Sequence, residues 1–258
     1  CCVSLLLSVA IQPALAADDL AKLARDFSGH LAVLPAPGIG DLATLPPARE
    51  LREAGLAPHL FLLTPAQFAD TNFFQARRFP VALYFGHEAY FQTIQRSGDG
   101  DAALRQFLAG GGTLLVLPAG PFPMYYNERY KPANGAGVVG LNIGAGSFEQ
   151  APPGLNLVFR VNTNQTVLPC FTAPFPFPRP EEAEQRWRPS RAPAGADVRY
   201  TPIATLIDDR GGNHGEGAAL LEFTQGPLRG GRVLYVWFSL VARERDDALV
   251  IAAGVPLA

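Results

Sequence analysis

The chain has 258 residues, of which 48% are hydrophobic and 17% are charged. This balance is typical of a globular protein with one good core or two modest ones. The formal net charge is -2, and the basic residues are scattered rather than gathered into a stripe, so a nucleic-acid partner is not expected.

The first residues have the features of a secretory signal. Val3 to Ile11 is an apolar stretch too short to span a bilayer, and Ala14-Leu15-Ala16 supplies the small-x-small pattern before a cut at Ala17. We therefore expect residues 1–16 to be a signal peptide and the mature bacterial protein to be periplasmic or extracellular, with no transmembrane segment. The chain begins with cysteine and has no basic n-region, so we expect it to be a fragment of a longer protein.

Removal of this signal would leave Cys170 as the only thiol. An internal disulfide could then not form. The neighbours Leu168, Pro169 and Phe171 give Cys170 an apolar setting, which predicts an inert, structural cysteine.

Strand and helix signals alternate in the first half of the chain. Short buried runs predict strands, and helices are indicated by proline in the first turn, capping residues, helical spacing of apolar residues and terminal glycines. The predicted strands are His30–Leu34, His59–Leu63, Val81–Phe85 and Thr113–Leu117. The predicted helices are Pro47–Ala54, a short helix that starts at Thr64-Pro65-Ala66-Gln67, and Asp99–Ala109. The last of these helices is terminated by Gly110–Gly112. This order predicts a parallel sheet with right-handed crossovers.

The second half of the chain differs from the first in composition. Residues 122–193 are dense in proline and aromatic residues, which predicts long excursions packed on the core with one strand over Asn156–Val161. Three further strands, joined by glycine-rich turns, are predicted to form a meander that extends the sheet; they are Ile203–Asp208, Ala218–Phe223 and Arg232–Phe238. Asp246–Ala258 resembles a helix cut off by the end of the sequence.

The predicted fold class is therefore α/β. We expect a flavodoxin-like, mostly parallel sheet with helices on both faces, extended by antiparallel strands near the C-terminus. Residues 17–258 are expected to form a single domain with a proline- and aromatic-rich insertion at about 122–198.

Two runs of the chain resemble a known superfamily. The run from Asp101 to Pro118, with Gly110-Gly111-Gly112 between helix and strand, resembles the "helix, Gly-Gly, strand" unit of class I glutamine-amidotransferase-like domains. Its closest branches are the β-galactosidase trimerisation-like and the trehalose-utilisation-like (ThuA-like) ones. The run from Tyr200 to Trp237 resembles the closing hairpins of such domains in carbohydrate-active bacterial proteins.

The resemblance implies a position for a catalytic cysteine, on a tight elbow between strand and helix, with a histidine and a glutamate completing a triad. Here the elbow falls at Pro118-Ala119-Gly120, where Ala119 offers no nucleophile. His214-Gly215-Glu216 has the His-x-Glu spacing of the family's acid–base pair. It lies between two predicted strands, and the alternative interpretation of this segment is a solvated hairpin loop.

Ligands of parallel α/β sheets bind beyond the carboxyl ends of the strands. The loops after the first, third and fourth predicted strands carry carboxylates and amphipathic aromatic residues, a mixture that sugar sites use for hydrogen bonding and stacking. The candidate ligand-binding residues are Asp41, Gly86, His87, Glu88, Ala119, Tyr125, Tyr126, Asn127 and Glu128. Glu88 and Glu128 could act as acid and base in glycoside cleavage, or they could be ordinary loop charges.

The sequence gives less support to nucleotide binding and to metal binding. Pro37-Gly38-Ile39-Gly40 lacks the third glycine of a dinucleotide fingerprint and the lysine of a P-loop, so no nucleotide cofactor is expected. His87, His214, Asp208 and Asp209 have no diagnostic metal-ligand spacing, so no metal is predicted either.

Three functional hypotheses follow. The leading one is a nonenzymatic binding or assembly module in an exported, carbohydrate-related protein, with a carbohydrate or small molecule as ligand and a second copy or adjoining domain as partner. The rival is a hydrolase acting on a sugar or an amide through His87 and Glu88 or through His214 and Glu216. The third is an interaction scaffold whose segment Phe171–Pro178 docks a partner or a second copy.

Overall fold

The structure is a computed structural model of the chain. It describes residues 31–36, 41–44, 52, 57–85, 90–117, 149–151, 154–168, 173–177, 185–187, 189–193, 195 and 197–237. The signal peptide, Cys170, the elbow at Pro118–Gly120 and the C-terminal helix predicted over Asp246–Ala258 lie outside these residues.

One large sheet organises the described part of the chain. It contains nine strands in the spatial order β2-β1-β3-β4-β11-β10-β9-β6-β7, and β5 and β8 form a separate two-stranded sheet. The strands are β1 (Leu31–Val33), β2 (Leu60–Leu62), β3 (Val81–Tyr84), β4 (Thr113–Val116), β5 (Glu149–Ala151), β6 (Leu157–Val161), β7 (Phe175–Pro176), β8 (Gln185–Trp187), β9 (Val198–Asp208), β10 (Asn213–Phe223) and β11 (Arg232–Val236).

The first half of the sheet is parallel, as the sequence predicts. β1 pairs with β2 and β3, β3 pairs with β4, and β4 pairs with β11, all in parallel. These strands are short and apolar, and β1, β3 and β4 are buried along their whole length, which is the pattern of strands covered on both faces. The α/β flavodoxin-like class with antiparallel strands near the C-terminus is confirmed.

The described residues include two α-helices and two short 3-10 helices, Leu42–Thr44 and Ala57–His59. In α1 (Pro65–Ala69) Thr64 and Gln67 form the predicted capping box, each side chain accepting the backbone N–H of the other residue. α2 (Asp99–Ala109) has the predicted bounds and buries Leu104, Phe107 and Leu108. The helix predicted over 47–54 lies outside the described residues except for Arg52, which is helical.

The second half is antiparallel and holds the predicted meander. β9 pairs with β10 and β10 pairs with β11, both in antiparallel fashion. β9 begins five residues before the predicted Ile203 and runs through Pro202, where the register with β10 shifts; proline is tolerated at such bulges because no ladder N–H is needed there. The predicted strand over 156–161 is present as β6, beside β9.

The interpretation of 211–217 as a hairpin loop is wrong for residues 213–217, whereas Gly211 and Gly212 do lie in the connection between β9 and β10. β10 already begins at Asn213, so His214, Gly215 and Glu216 lie in a strand. Gly215 has φ +89°, and the register with β9 shifts around Glu216. Gly215, one of the glycines that indicate a loop, therefore accommodates a bulged strand instead.

Part of the segment proposed as a docking element is packed inside the protein. Phe175 and Pro176 form β7 against β6. Phe177 is buried and stacks on Phe159, with ring centroids 6.2 Å apart. At Phe177 the proline- and aromatic-rich segment therefore packs into the core of its own chain.

The two halves meet where α2 passes over the start of β4 and β11. Arg232 donates its backbone N–H to the Gly112 carbonyl at 3.1 Å. A Cβ at Gly231 would lie 2.6 Å from the Leu108 carbonyl oxygen, a backbone atom that cannot rotate away. Glycine at this position therefore permits the close approach of β11 to α2.

We predict that Gly231→Ala lowers the free energy of unfolding by about 1–3 kcal/mol through overpacking against this carbonyl, as measured by urea denaturation. Gln106→Ala on the exposed face of α2 is the control and should change stability by less than about 0.5 kcal/mol. Equal effects of the two substitutions would contradict the close approach.

Candidate functional site at the carboxyl edge of the sheet

Five parallel strands end at one edge of the sheet, which we call the carboxyl edge. Their last residues are Leu62, Val33, Tyr84, Val116 and Val236. In open α/β sheets this is the edge at which ligands bind.

The hairpin of β9 and β10 extends past this edge. Ala218 pairs with Val236, the last residue of β11, so residues 213–217 at the start of β10 lie beyond the end of β11. Because β9 is antiparallel to β10, its last residue, Asp208, lies at the same edge. We call residues 208–217 the edge hairpin; it brings Asp208, His214 and Glu216 to the carboxyl edge.

Asp208 and His214 form a hydrogen-bonded pair in the edge hairpin. Nε2 of His214 lies 2.8 Å from Oδ2 of Asp208, while Oδ1 of Asp208 accepts the backbone N–H groups of Gly212 (2.7 Å) and Arg210 (2.9 Å). The hydrogen bond from His214 and those from the backbone hold the pKa of Asp208 below its usual value. An ionised Asp208 in turn favours the His214 tautomer with its proton on Nε2.

Glycine is required beside this pair. A Cβ at Gly212 would lie 2.5 Å from Oδ2 of Asp208, and Gly211 has φ +82°. The turn can therefore fold its backbone N–H groups onto the carboxylate, and the pair is fixed by the hairpin itself. The side chains remain partly accessible, with 22% of His214 and 9% of Asp208 exposed.

Glu216 belongs to a second polar cluster. Its Oε2 accepts the hydroxyl of Tyr200 at 2.8 Å, and Oγ of Ser190 lies 3.1 Å from the Tyr200 oxygen. Burial raises the pKa of Tyr200 well above its usual range, and the Glu216 carboxylate adds to this shift, so Tyr200 stays a neutral donor. No hydrogen bond from a described residue to Oε1 of Glu216 is present.

Strand bulges bring Tyr200 and Glu216 together. Tyr200 pairs with Leu221, whereas Glu216 pairs with Thr205, so the two residues are five residue positions apart along the strands. On regular strands five positions span roughly 16 Å. The register shifts between Asn213 and Ala219 bend the hairpin enough for the phenol to reach the carboxylate.

Trp237 follows β11 at the carboxyl edge. Its backbone N–H donates to the Gly217 carbonyl at 2.8 Å, and its indole packs against Phe159 and Phe177. The indole Nε1–H is buried and has no hydrogen-bond partner among the described residues, an uncommon state for a buried donor.

Few of the ligand-binding residues proposed from the sequence fall within the described part of the chain. Asp41 is exposed and accepts the Ala43 N–H at 2.7 Å through Oδ1, a local turn interaction. Outside the described residues lie Gly86, His87, Glu88, Ala119, Tyr125, Tyr126, Asn127 and Glu128. Their role as ligand contacts stays a prediction.

The His-x-Glu spacing indicates His214 and Glu216 as site residues and predicts that they act as a pair. In the structure their hydrogen bonds go to Asp208 and to Tyr200. The sequence indicates Asp208 only as a candidate metal ligand, and it contains no signal that marks Ser190 or Tyr200 as site residues. Tyr200 could not have been found from spacing, because its contact with Glu216 depends on the bulges.

In the described residues, His, Cys, Asp and Glu side chains do not gather in threes or more in a way that could hold a metal ion. Within the same residues, neither helix has the length and apolar character needed to cross a membrane.

The fold and this edge define an α/β flavodoxin-like domain with a mixed sheet. No protein-family model matches the chain, and no curated protein matches it. A crystal structure of a protein described as ThuA-like, from Bacteroides uniformis, aligns with a TM-score of 0.49 and 13% identity over 88% of this chain and 91% of that chain. At this identity and TM-score the likeness identifies no ligand, reaction or site residue for this chain.

The pKa of Asp208 gives a pH prediction. Because the pKa of Asp208 is lowered in the folded state, the ionised carboxylate stabilises the fold at pH values above its unfolded pKa of 3.8. This contribution is lost as the pH falls through the lower pKa of the folded state. Asp208→Asn should therefore reduce stability at pH 7 and flatten the loss of stability between about pH 5 and about pH 2, as measured by urea midpoints.

The control is Asp209→Asn, a change of the same type at the next residue. The expected profile for this variant is parallel to that of the wild type. A profile for Asp208→Asn that also runs parallel to the wild type would show that the pair contributes nothing to folding.

Proposed function

We propose that this protein is an exported binding module that holds a carbohydrate, or a similar polyhydroxylated small molecule, at the carboxyl edge of its sheet and does not act by cysteine catalysis. The observation that carries the proposal is the edge hairpin, which places Asp208, His214 and Glu216 beyond the ends of the parallel strands. Export rests on the signal-like residues 1–16, and the carbohydrate context rests on the family resemblance.

The chemistry of these groups suits hydroxyl ligands. Oε1 of Glu216 and the carboxylate of Asp208 are acceptors for ligand hydroxyls, and His214 orients the Asp208 carboxylate through Nε2. Their orientations are fixed by hydrogen bonds to Tyr200 and to the turn backbone. Fixed polar groups lose little entropy when a ligand binds, which favours specific recognition.

Binding can be measured by isothermal titration of the full chain with a panel of methyl glycosides and neutral disaccharides. His214→Ala should weaken the affinity for the best ligand by about 10-fold, because the Asp208 carboxylate loses the ring that orients it and with it about one hydrogen bond to the ligand. Glu222→Gln is the matched control, because Glu222 lies on the same strand at the opposite edge, paired with Arg199 at 2.6 Å.

The control should bind like the wild type. The proposal would be contradicted if the wild type bound none of the panel, or if Glu222→Gln weakened binding as much as His214→Ala.

A hydrolase is the second candidate, and the Asp208–His214 pair is the observation that favours it. A histidine oriented by a carboxylate is a common general base. If the protein turns over glycosides or amides, His214→Ala should reduce kcat by at least about 100-fold. If turnover survives in His214→Ala and Glu216→Ala but is lost in His87→Ala, the catalytic residue is instead His87, which follows β3 in the chain.

A further inference from the structure

Three strands, β6, β9 and β10, continue past the end of β11 at the carboxyl edge. The last row of paired residues that includes β11 consists of Val161, Ala204, Ala218 and Val236. The next row outward contains Arg160, Thr205 and Glu216, which pair across the three remaining strands. We call these three residues the outer row. It lies just beyond the end of β11 and includes Glu216 of the edge hairpin.

The side chains of the outer row share a face of the sheet that is open to solvent. On β6 the exposed residues Val158 and Arg160 alternate with buried ones. Val158 is 39% exposed, and no other large apolar side chain of the described residues is as exposed. Because residues directly opposite each other on neighbouring strands share a face, Thr205 and Glu216 lie on the same face as Arg160.

Arg160 brings a positive charge to this open face. In the part of the chain that the structure describes, its guanidinium makes no hydrogen bond or ion pair. By contrast, Arg105 and Arg199 each have a carboxylate partner at 2.6 Å. A guanidinium presents its N–H donors as a planar fork that binds a carboxylate through two parallel hydrogen bonds. Arg160 can therefore hold an anionic group of a ligand.

The composition of the outer row favours a ligand with one carboxylate and several hydroxyls. Neighbouring strands lie roughly 4.8 Å apart, so the backbones at Arg160 and Glu216 are about 10 Å apart, with Thr205 between them. The Thr205 hydroxyl both donates and accepts hydrogen bonds, and the Glu216 carboxylate accepts them. A phosphate fits less well, because it would bring about −1.5 to −2 charges close to the negative Glu216.

We propose that Arg160 determines the ligand class of this site: it binds the carboxylate of an acidic sugar, a uronic acid, while Thr205 and Glu216 contact the sugar hydroxyls. This inference rests on the proposed binding function and narrows its ligand to carbohydrates that carry a carboxylate. Arg160 is then a specificity-determining residue, and the preference for acidic over neutral sugars depends on its charge.

The test compares sugars that differ only at C6, where one carries a carboxylate and the other a hydroxymethyl group. The pairs are methyl glucuronide with methyl glucoside and methyl galacturonide with methyl galactoside. In isothermal titration of the full chain, we expect the uronide of the better pair to bind about 10-fold more tightly than its neutral partner, because of the charge-assisted hydrogen bonds.

Substitutions at Arg160 assign this preference to its side chain. Arg160→Gln should make the two affinities equal without changing the affinity for the neutral sugar. Arg160→Lys should keep part of the preference, because the charge remains and the planar fork is lost.

Arg229→Gln is the matched control. Arg229 is exposed in the turn between β10 and β11, at the opposite edge of the sheet, so its loss changes the net charge equally and leaves the outer row intact. This variant should keep the full preference for the uronide. The urea midpoints of Arg160→Gln and Arg229→Gln should both stay close to that of the wild type, because both side chains are exposed.

The outcomes separate this inference from the proposed function. If the wild type binds neutral sugars as tightly as uronides, or if Arg160→Gln keeps the preference, the role of Arg160 is overturned and the binding function stands. Tighter binding of glucose 1-phosphate than of methyl glucuronide would overturn the carboxylate as the recognised group. If the wild type binds neither neutral nor acidic sugars, both the inference and the binding function fail.

Discussion

The parallel pairing of β11 with β4 is the constraint on which the rest of the structure depends. It runs from Arg232 opposite Thr113 to Tyr235 opposite Val116 and joins strands far apart in the sequence. Through it the parallel half of the sheet and the antiparallel meander share one hydrogen-bonded ladder and one core. The close packing of Gly231 against α2 allows β11 to occupy this central place.

This pairing also decides what lies at the carboxyl edge. With β11 beside β4, β10 must run in the opposite direction, and its first five residues extend past the end of β11. Polar residues of the edge hairpin therefore stand where a parallel sheet offers a binding crevice. The cost of partly burying them is offset by hydrogen bonds: Asp208 binds the turn backbone and His214, and Glu216 binds Tyr200.

The parallel half was predictable because its signals are local. Buried runs, the capping box at Thr64 and the glycines after α2 each depend on neighbouring residues. The start of β10 is not predictable from local signals because Gly215 and Gly217 are typical of a loop, and only the pairing with β9 places them in a bulged strand. The contacts of Tyr200 with Ser190 and Glu216 could not be predicted from the sequence for the same reason, because they depend on the register between strands that are distant in the chain.

The location of the ligand site is the central claim, and mapping backbone amide chemical shifts during titration with a methyl glycoside tests it most directly. The account predicts that the largest changes fall in the edge hairpin, residues 208–217, and in residues 189–193. It would be contradicted if the changes fell at the opposite edge, in residues 197–199 and 224–231, or if saturating sugar shifted no amide.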